Sequence, residues 1–347
     1  MKRRIGATLA VPRAMLGHAG EAGDAGALAF ETARWTHFTS FLAQVEQLAP
    51  DFTGATAGVT VALDQLRRVL QRFGSPARLR QLLAAQPAAA SGPRRPAMLY
   101  AGIVWWSWQL QGSASGVVLT MRQLAEPAGA HAEAARKASL RRLGALAATG
   151  LRQIGPLLVE VNDFKCALLS ANGSLAAACA DAAALLQSSR EAVGALRLQV
   201  RTLERQLGRR GRRASHRTEE LLRQHAALRA ALARNEAQSA RIKTELAALD
   251  AIVDAGAWSE AGLGDLLAVM NRLRTAWSRF GSAMTQLALD ASATQLASRA
   301  WIERTVERDE AICEWDALGR SARRFASASR AGVAGAASAP PASGRAD

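Results

Sequence analysis

Few residues in this chain are equipped for chemistry. The five histidines, His18, His37, His131, His216 and His225, are scattered along the sequence. His216 and His225 lie nine apart and cannot share a helix face as an i, i+4 metal pair does. His225 falls at a position of a helical seam, which reads as a polar residue tolerated in a core. The three cysteines, Cys166, Cys179 and Cys313, are an odd number without a CxxC pair, which argues against a disulfide framework or a metal site. Cys166 and Cys179 are thirteen apart on what reads as one helix and cannot be bridged along it. They read as small apolar residues of an interior. GxxxxGK[ST], HExxH and GxSxG are all missing from the sequence. The expectation is therefore no catalytic, metal-ligating or cofactor-binding residue, and a protein that is not an enzyme.

Two other constellations carry physical meaning. From Arg197 to Arg217 there are eight arginines and one acid, Glu204. Arg197, Arg201, Arg205, Arg209, Arg213 and Arg217 recur every four residues, with Arg210 and Arg212 added where the sequence turns. A cluster of this kind raises a positive potential. Anionic lipid headgroups gain roughly 1 kcal/mol per basic residue near their surface, and nucleic-acid phosphates are attracted equally well. The rival reading is a solvated face whose arginines follow GC-rich codon usage, since the chain has 40 Arg and 4 Lys. No aromatic residue interleaves the cluster, as stacking on single strands would require.

The second constellation is a run of 26 uncharged residues, Pro96 to Met121. It includes Leu99, Tyr100, Ile103, Val104, Trp105, Trp106, Trp108, Val117, Val118 and Leu119, which are the candidates for membrane or subunit contact. The run has the length of a bilayer-crossing helix, about 20 residues, and Gly112 and Gly116 have the GxxxG spacing of close helix contacts. Gln109, Gln111 and the hydroxyl residues lower its hydrophobicity, and its tryptophans sit mid-segment rather than at the interfaces they prefer. A segment hidden as a buried central helix in one state and inserted in a membrane in another satisfies both tendencies.

The elements that must position these residues are helices. Alanine occurs 78 times among 347 residues, while isoleucine and valine together number about two dozen. Ala, Leu, Arg, Glu and Gln are strong helix formers, and 49% apolar content is ample for a core. An all-β fold, a doubly wound fold and a disordered chain are excluded. Helices are expected over residues 28–48, 53–73, 76–83 and 130–150. Gly155-Pro156 reads as a break and a new start. Beyond it Leu186, Val193, Leu196, Val200, Leu203 and Leu207 follow 3/4 spacing, with Asn172-Gly173 as a potential interruption. A return helix carries Leu221, His225, Leu228, Leu232, Asn235, Ser239, Ile242, Leu246, Leu249 and Val253 in strict alternation, a coiled-coil signal. A glycine-rich turn over 256–264 precedes a third seam, Leu266, Met270, Leu273, Trp277, Phe280, Met284 and Leu287. A final helix is expected near 296–325.

The expected fold is all-α, an elongated helical bundle with a long antiparallel coiled-coil hairpin. Residues 1–26 read as a disordered leader, with a cleaved signal as the alternative: Pro12 and Arg13 cut the apolar run at the bottom of the usual signal-peptide range, and Arg3-Arg4 resembles a twin-arginine signal only superficially. Residues 27–155 hold the N-terminal bundle helices, including 97–121. Residues 156–325 hold the hairpin, with its tip at about 208–217, and the C-terminal helices. Residues 326–347 read as a low-complexity tail.

This order of helices resembles the ClyA-like α-helical pore-forming toxins, which include the tripartite hemolytic enterotoxins and the xenorhabdolysin-type two-component cytolysins. The residues carrying the resemblance are Val161 to Leu169 and the seam to Leu207, then Leu266 to Trp277, and Trp301 to Trp315 with Leu318 and Phe325. It covers roughly residues 28 to 325. The resemblance implies a toxin component that is secreted or released from a bacterium, cytoplasmic beforehand, and that oligomerises at a target membrane. Family heads hold an apolar hairpin or tongue where residues 208–217 are here almost purely basic. That departure points to one component of a multi-subunit toxin, a partner whose apolar segment lies elsewhere, or a member without the activity. The basic tip, Arg205, Arg209, Arg210, Arg212, Arg213 and Arg217, is the candidate for attachment to anionic headgroups. The alternative is a basic coiled-coil protein that holds nucleic acid or organises an intracellular assembly.

Overall fold

The computed structural model describes residues 57–74, 98–126, 129–210 and 216–335, together with Phe38, Ser40, Phe41, Leu42, Gln44 and Val45, which are helical. Seven α-helices are bounded here: α1 (Ala57–Phe73), α2 (Leu99–Gln123), α3 (Ala132–Arg210), α4 (His216–Asp290), α5 (Ala293–Ala297), α6 (Arg299–Thr305) and α7 (Arg308–Gly335). No strand occurs among the described residues, so the fold is all-α, as the composition requires. The helices expected over 28–48 and 76–83, the leader and most of the tail fall wholly or mainly outside the described residues. Helix α7 runs to Gly335, past the point where the tail was expected to begin.

Three expected interruptions are not there. Helix α3 runs for 79 residues through Pro156. Proline removes one backbone donor and crowds the preceding turn, and it usually forces the residue before it out of the α region. Here that residue is Gly155, which has no Cβ to meet the ring, and Ile154, Leu157, Leu158 and Val161 around it are all buried. Asn172-Gly173 does not break the helix either. Helix α4 runs for 75 residues through Gly256 and Gly264. These two glycines are sites of close approach instead: Gly256 lies against the Asn172 amide, and a Cβ at Gly264 would stand 3.1 Å from Lys165 Nζ. The third seam therefore belongs to the same helix as the second. Conversely, the single helix expected near 296–325 is three. Ser292 caps α5 in a capping box with Gln295, Ser298 caps α6, and Glu307 adopts φ 45° just before α7.

The chain forms two compact units. The first takes residues up to Ala43, Leu70–Ala167 and Trp258 onward. Its interior has two aromatic groups. Phe73 packs on Phe38 (4.4 Å between centroids), Phe164 (5.0 Å) and Tyr100 (5.8 Å). Trp277 packs on Trp315 (4.4 Å), with Phe280 against Trp315 at 5.3 Å. Small residues on α3 meet α4 here: a Cβ at Gly150 would lie 2.7 Å from the Trp277 ring, and one at Gly281 would lie 2.8 Å from Ala147 Cβ. Every residue of the third seam is buried, as its spacing predicts.

The second unit takes Gln44–Val69 and Leu168–Ala257. Its part of α1 presents Val59, Ala62, Leu63 and Leu66 on one buried face. Its parts of α3 and α4 run antiparallel: Asn172 meets Gly256, Ser189 meets Ser239 at 2.7 Å, and Arg197 bonds Glu236 at 2.6 Å. Burial thins along this pair. Val200 is the last buried residue of α3 and Ile242 the first of α4 among those described. Beyond them the seam residues Leu203, Leu207, Leu221, His225, Leu228, Leu232, Asn235 and Ser239 are half-buried.

Candidate functional site

The uncharged run folds as the single helix α2, whose one charge, Arg122, lies in its last turn. Leu99, Tyr100, Ile103, Val104, Trp105, Trp106, Val117 and Val118 are buried, Trp108 is half-buried, and Leu119 is 52% exposed. It packs against α7. A Cβ at Gly319 of α7 would lie 3.4 Å from Ala114 Cβ and 3.9 Å from the Gln111 carbonyl, so the two backbones run close. The GxxxG pair does not act together: Gly116 faces Leu146 of α3, while Gly112 has nothing within 4 Å.

Two buried hydroxyls of α2 are bonded locally. Ser107 donates to the Ile103 carbonyl (2.9 Å) and Thr120 to the Gly116 carbonyl (2.8 Å), each one turn back in the same helix. Gln153 of α3 donates to Gln109 at 3.4 Å. At the C-terminal end of α2 stands Arg136 of α3, only 2% exposed. Its Nε donates to the Leu124 carbonyl (3.1 Å), and its Nη1 donates to the carbonyls of Leu296 (2.7 Å) and Ala297 (2.6 Å) at the end of α5. Helix C-termini leave carbonyls without intrahelical partners, and a buried guanidinium answers several of them at once. Composition and periodicity did not single out Arg136. The backbone oxygens it bonds lie 12 to 161 positions away and have no sequence signature.

Length alone would let α2 cross a bilayer, but among the described helices only α3 combines that length with enough apolar character, and 39% of its stretch is buried. From Cys166 to Leu186, Asp181 is the sole charge of α3.

In the second unit, Arg205 and Arg209 are exposed on α3, as is Arg201. Arg210 and Arg217 are helical, but their side chains, like Arg212 and Arg213 entirely, lie outside the described residues. Two acids of this pair of helices are engaged by particular cations. Glu204 accepts from Arg229 at 2.6 Å and lies 3.3 Å from His225 Nε2. These bonds, that to Arg229 foremost, hold its carboxyl below the usual carboxylate range. Glu236 is taken by Arg197. His225 is thus a cross-helix polar partner in the seam. Among the described residues, no group of three or more His, Cys, Asp or Glu is placed to hold a metal ion. Cys179 is buried while Cys166 and Cys313 are exposed, so the interior reading of the cysteines holds for one of the three.

No protein-family model matches the chain, and neither does any curated protein sequence. Among solved structures, it is similar over 86% of its length to the soluble AhlC of the tripartite alpha-pore forming toxin AHL from Aeromonas hydrophila, with 13% identity, 97% of that chain covered and a TM-score of 0.44. It is similar over 86% to the Bacillus cereus HblL1 toxin component, with 10% identity, 95% covered and a TM-score of 0.44. A third, the SmhB pore of the tripartite alpha-pore forming toxin Smh from Serratia marcescens, has 11% identity, 86% and 98% coverage and a TM-score of 0.34. Likenesses at this level leave the activity to be argued from the chain's own residues.

Proposed function

We propose that the chain is a component of a bacterial α-helical pore-forming toxin, secreted or released, which binds membranes and oligomerises with a partner subunit or with itself. It acts without enzymatic chemistry. One observation carries the reading: a 25-residue helix, uncharged up to its last turn, is packed against α3 and α7 with two of its buried hydroxyls, Ser107 and Thr120, already bonded within it. A segment bound for a non-aqueous environment must satisfy its polar groups internally, and these two need no new partner when α2 changes surroundings. In this reading α2 supplies the apolar contact to membrane or subunit, and the arginines from Arg205 to Arg217 supply electrostatic attachment to anionic headgroups.

The test uses the full chain with liposomes that are neutral or contain anionic lipid, alone and with the product of a neighbouring gene, reading association and leakage. Anionic lipid should strengthen binding, and Arg205→Ala or Arg209→Ala should each weaken it by about fivefold at low salt. A disulfide between Ala114→Cys and Gly319→Cys, with Cys166→Ser and Cys313→Ser, should hold α2 against α7. The 3.4 Å between their Cβ positions is close to the disulfide range. Oxidised protein should attach but not leak vesicles, and reduction should restore leakage. No association under any of these conditions refutes the proposal. Steeply salt-dependent nucleic-acid binding without vesicle binding would favour the alternative of a nucleic-acid-holding coiled coil.

A further inference from the structure

We infer that Arg136 is a positioning residue that holds the C-terminal end of α2 in its stored place, by tying it to the end of α5. The inference rests on three observations. The guanidinium is buried, and it donates to backbone carbonyls of two different elements, Leu124 next to α2 and Leu296 and Ala297 in α5. Other contacts of α2 are less directional: α7 approaches through Gly319, Leu146 touches Gly116, and the side-chain bond from Gln153 to Gln109 is long, at 3.4 Å. The buried hydroxyls of Ser107 and Thr120 bond within α2 itself, so these two do not tie it to its neighbours. Apolar contact is non-directional and tolerates sliding and exchange of partners, whereas a forked, charge-assisted set of bonds fixes one geometry.

Arg136 therefore sets where α2 ends and how firmly that end is held. Without it the Leu124 carbonyl and the two α5 carbonyls lose a donor together, and the last turns of α2 open ahead of the rest of the unit. Lysine keeps the charge but has a single donor centre on a flexible stem. It reaches one helix end or the other, not both. The consequence for membrane action rests on the function proposed above; the positioning role itself does not.

The test is hydrogen exchange of the full chain in buffer without lipid, comparing wild type, Arg136→Gln and Arg136→Lys. Arg136→Gln should speed exchange of the amides over residues 117–124 by about tenfold or more, leaving residues 311–326 of α7 and 266–287 of α4 unchanged. Arg136→Lys should give an intermediate, equally local effect. Unchanged exchange over 117–124, or acceleration spread evenly across the unit, overturns the inference. If Arg136→Gln does not fold, Arg136→Lys alone decides on the same criterion. Liposome association is then measured on the same variants. Local loosening without any gain in association keeps the positioning role and counts against the membrane reading, so the two failures are distinguishable.

Discussion

Replacing Gly150 by alanine sets two opposing effects against each other in one position. In an exposed helix interior, Gly→Ala stabilises by about 0.5–1 kcal/mol, because alanine has less backbone freedom to lose. At Gly150 the new methyl would stand 2.7, 2.8 and 2.9 Å from Cε2, Cδ2 and Nε1 of Trp277. That ring cannot simply turn aside. It is 1% exposed, stacked on Trp315 at 4.4 Å and edge-on to Phe280 at 6.3 Å. Overpacking a closed site of this kind costs typically 1–3 kcal/mol, so the net result should be a loss of about 1–2 kcal/mol. Gly112 in the same unit supplies the control, since nothing lies within 4 Å of its Cβ position. Gly112→Ala should gain up to about 1 kcal/mol. Urea unfolding followed by circular dichroism at 222 nm measures both, and the variants should move the midpoint in opposite directions. If Gly150→Ala proves as stable as Gly112→Ala, the close crossing of α3 and α4 at Trp277 is wrong.

Two further outcomes follow from the electrostatics and exposure of single side chains. The Glu204 carboxyl, held low chiefly by Arg229 and then by His225, adds stability that is complete above the usual carboxylate range. That stability declines as pH enters the range and is lost as pH falls on through the lowered value of the folded protein, because the unfolded chain takes up the proton first. The midpoint difference between wild type and Glu204→Gln should shrink from neutral pH to about pH 3, and a difference constant with pH would contradict the cross-helix bonds. Among the cysteines, burial pushes the Cys179 thiol up, with Asp250 adding to the shift, whereas Cys166 and Cys313 are exposed. A maleimide should therefore label two thiols promptly at neutral pH and the third only on unfolding. Prompt labelling of Cys179 would show that its part of α3 is not packed as described.

What the linear sequence determined about this protein is local. Abundant alanine and scarce β-branched residues make every described element a helix, and apolar spacing of three and four marks the buried face wherever a partner element lies opposite. The seam from Leu266 to Leu287 is buried throughout for that reason. The uncharged run is equally plain, because the lack of charge over 26 residues needs no partner to be seen.

Tertiary structure decided the rest. Gly155-Pro156 and the glycines at 256 and 264 look like stops in the chain, but a glycine's meaning depends on what faces it. Asn172 and Lys165 occupy the space that side chains there would have taken, and a helix that gains such contacts runs on. Pro156 is tolerated because Gly155 relieves the clash and the residues around it are buried. The polar seam beyond Val200 follows the same spacing as the buried part, yet it is only half-covered. Periodicity reports which side faces a partner, not how much partner there is. Arg136 is one of 40 arginines in the sequence, and nothing in its neighbours sets it apart. Its role comes from backbone carbonyls 12 to 161 positions away, and only the folded chain brings them together.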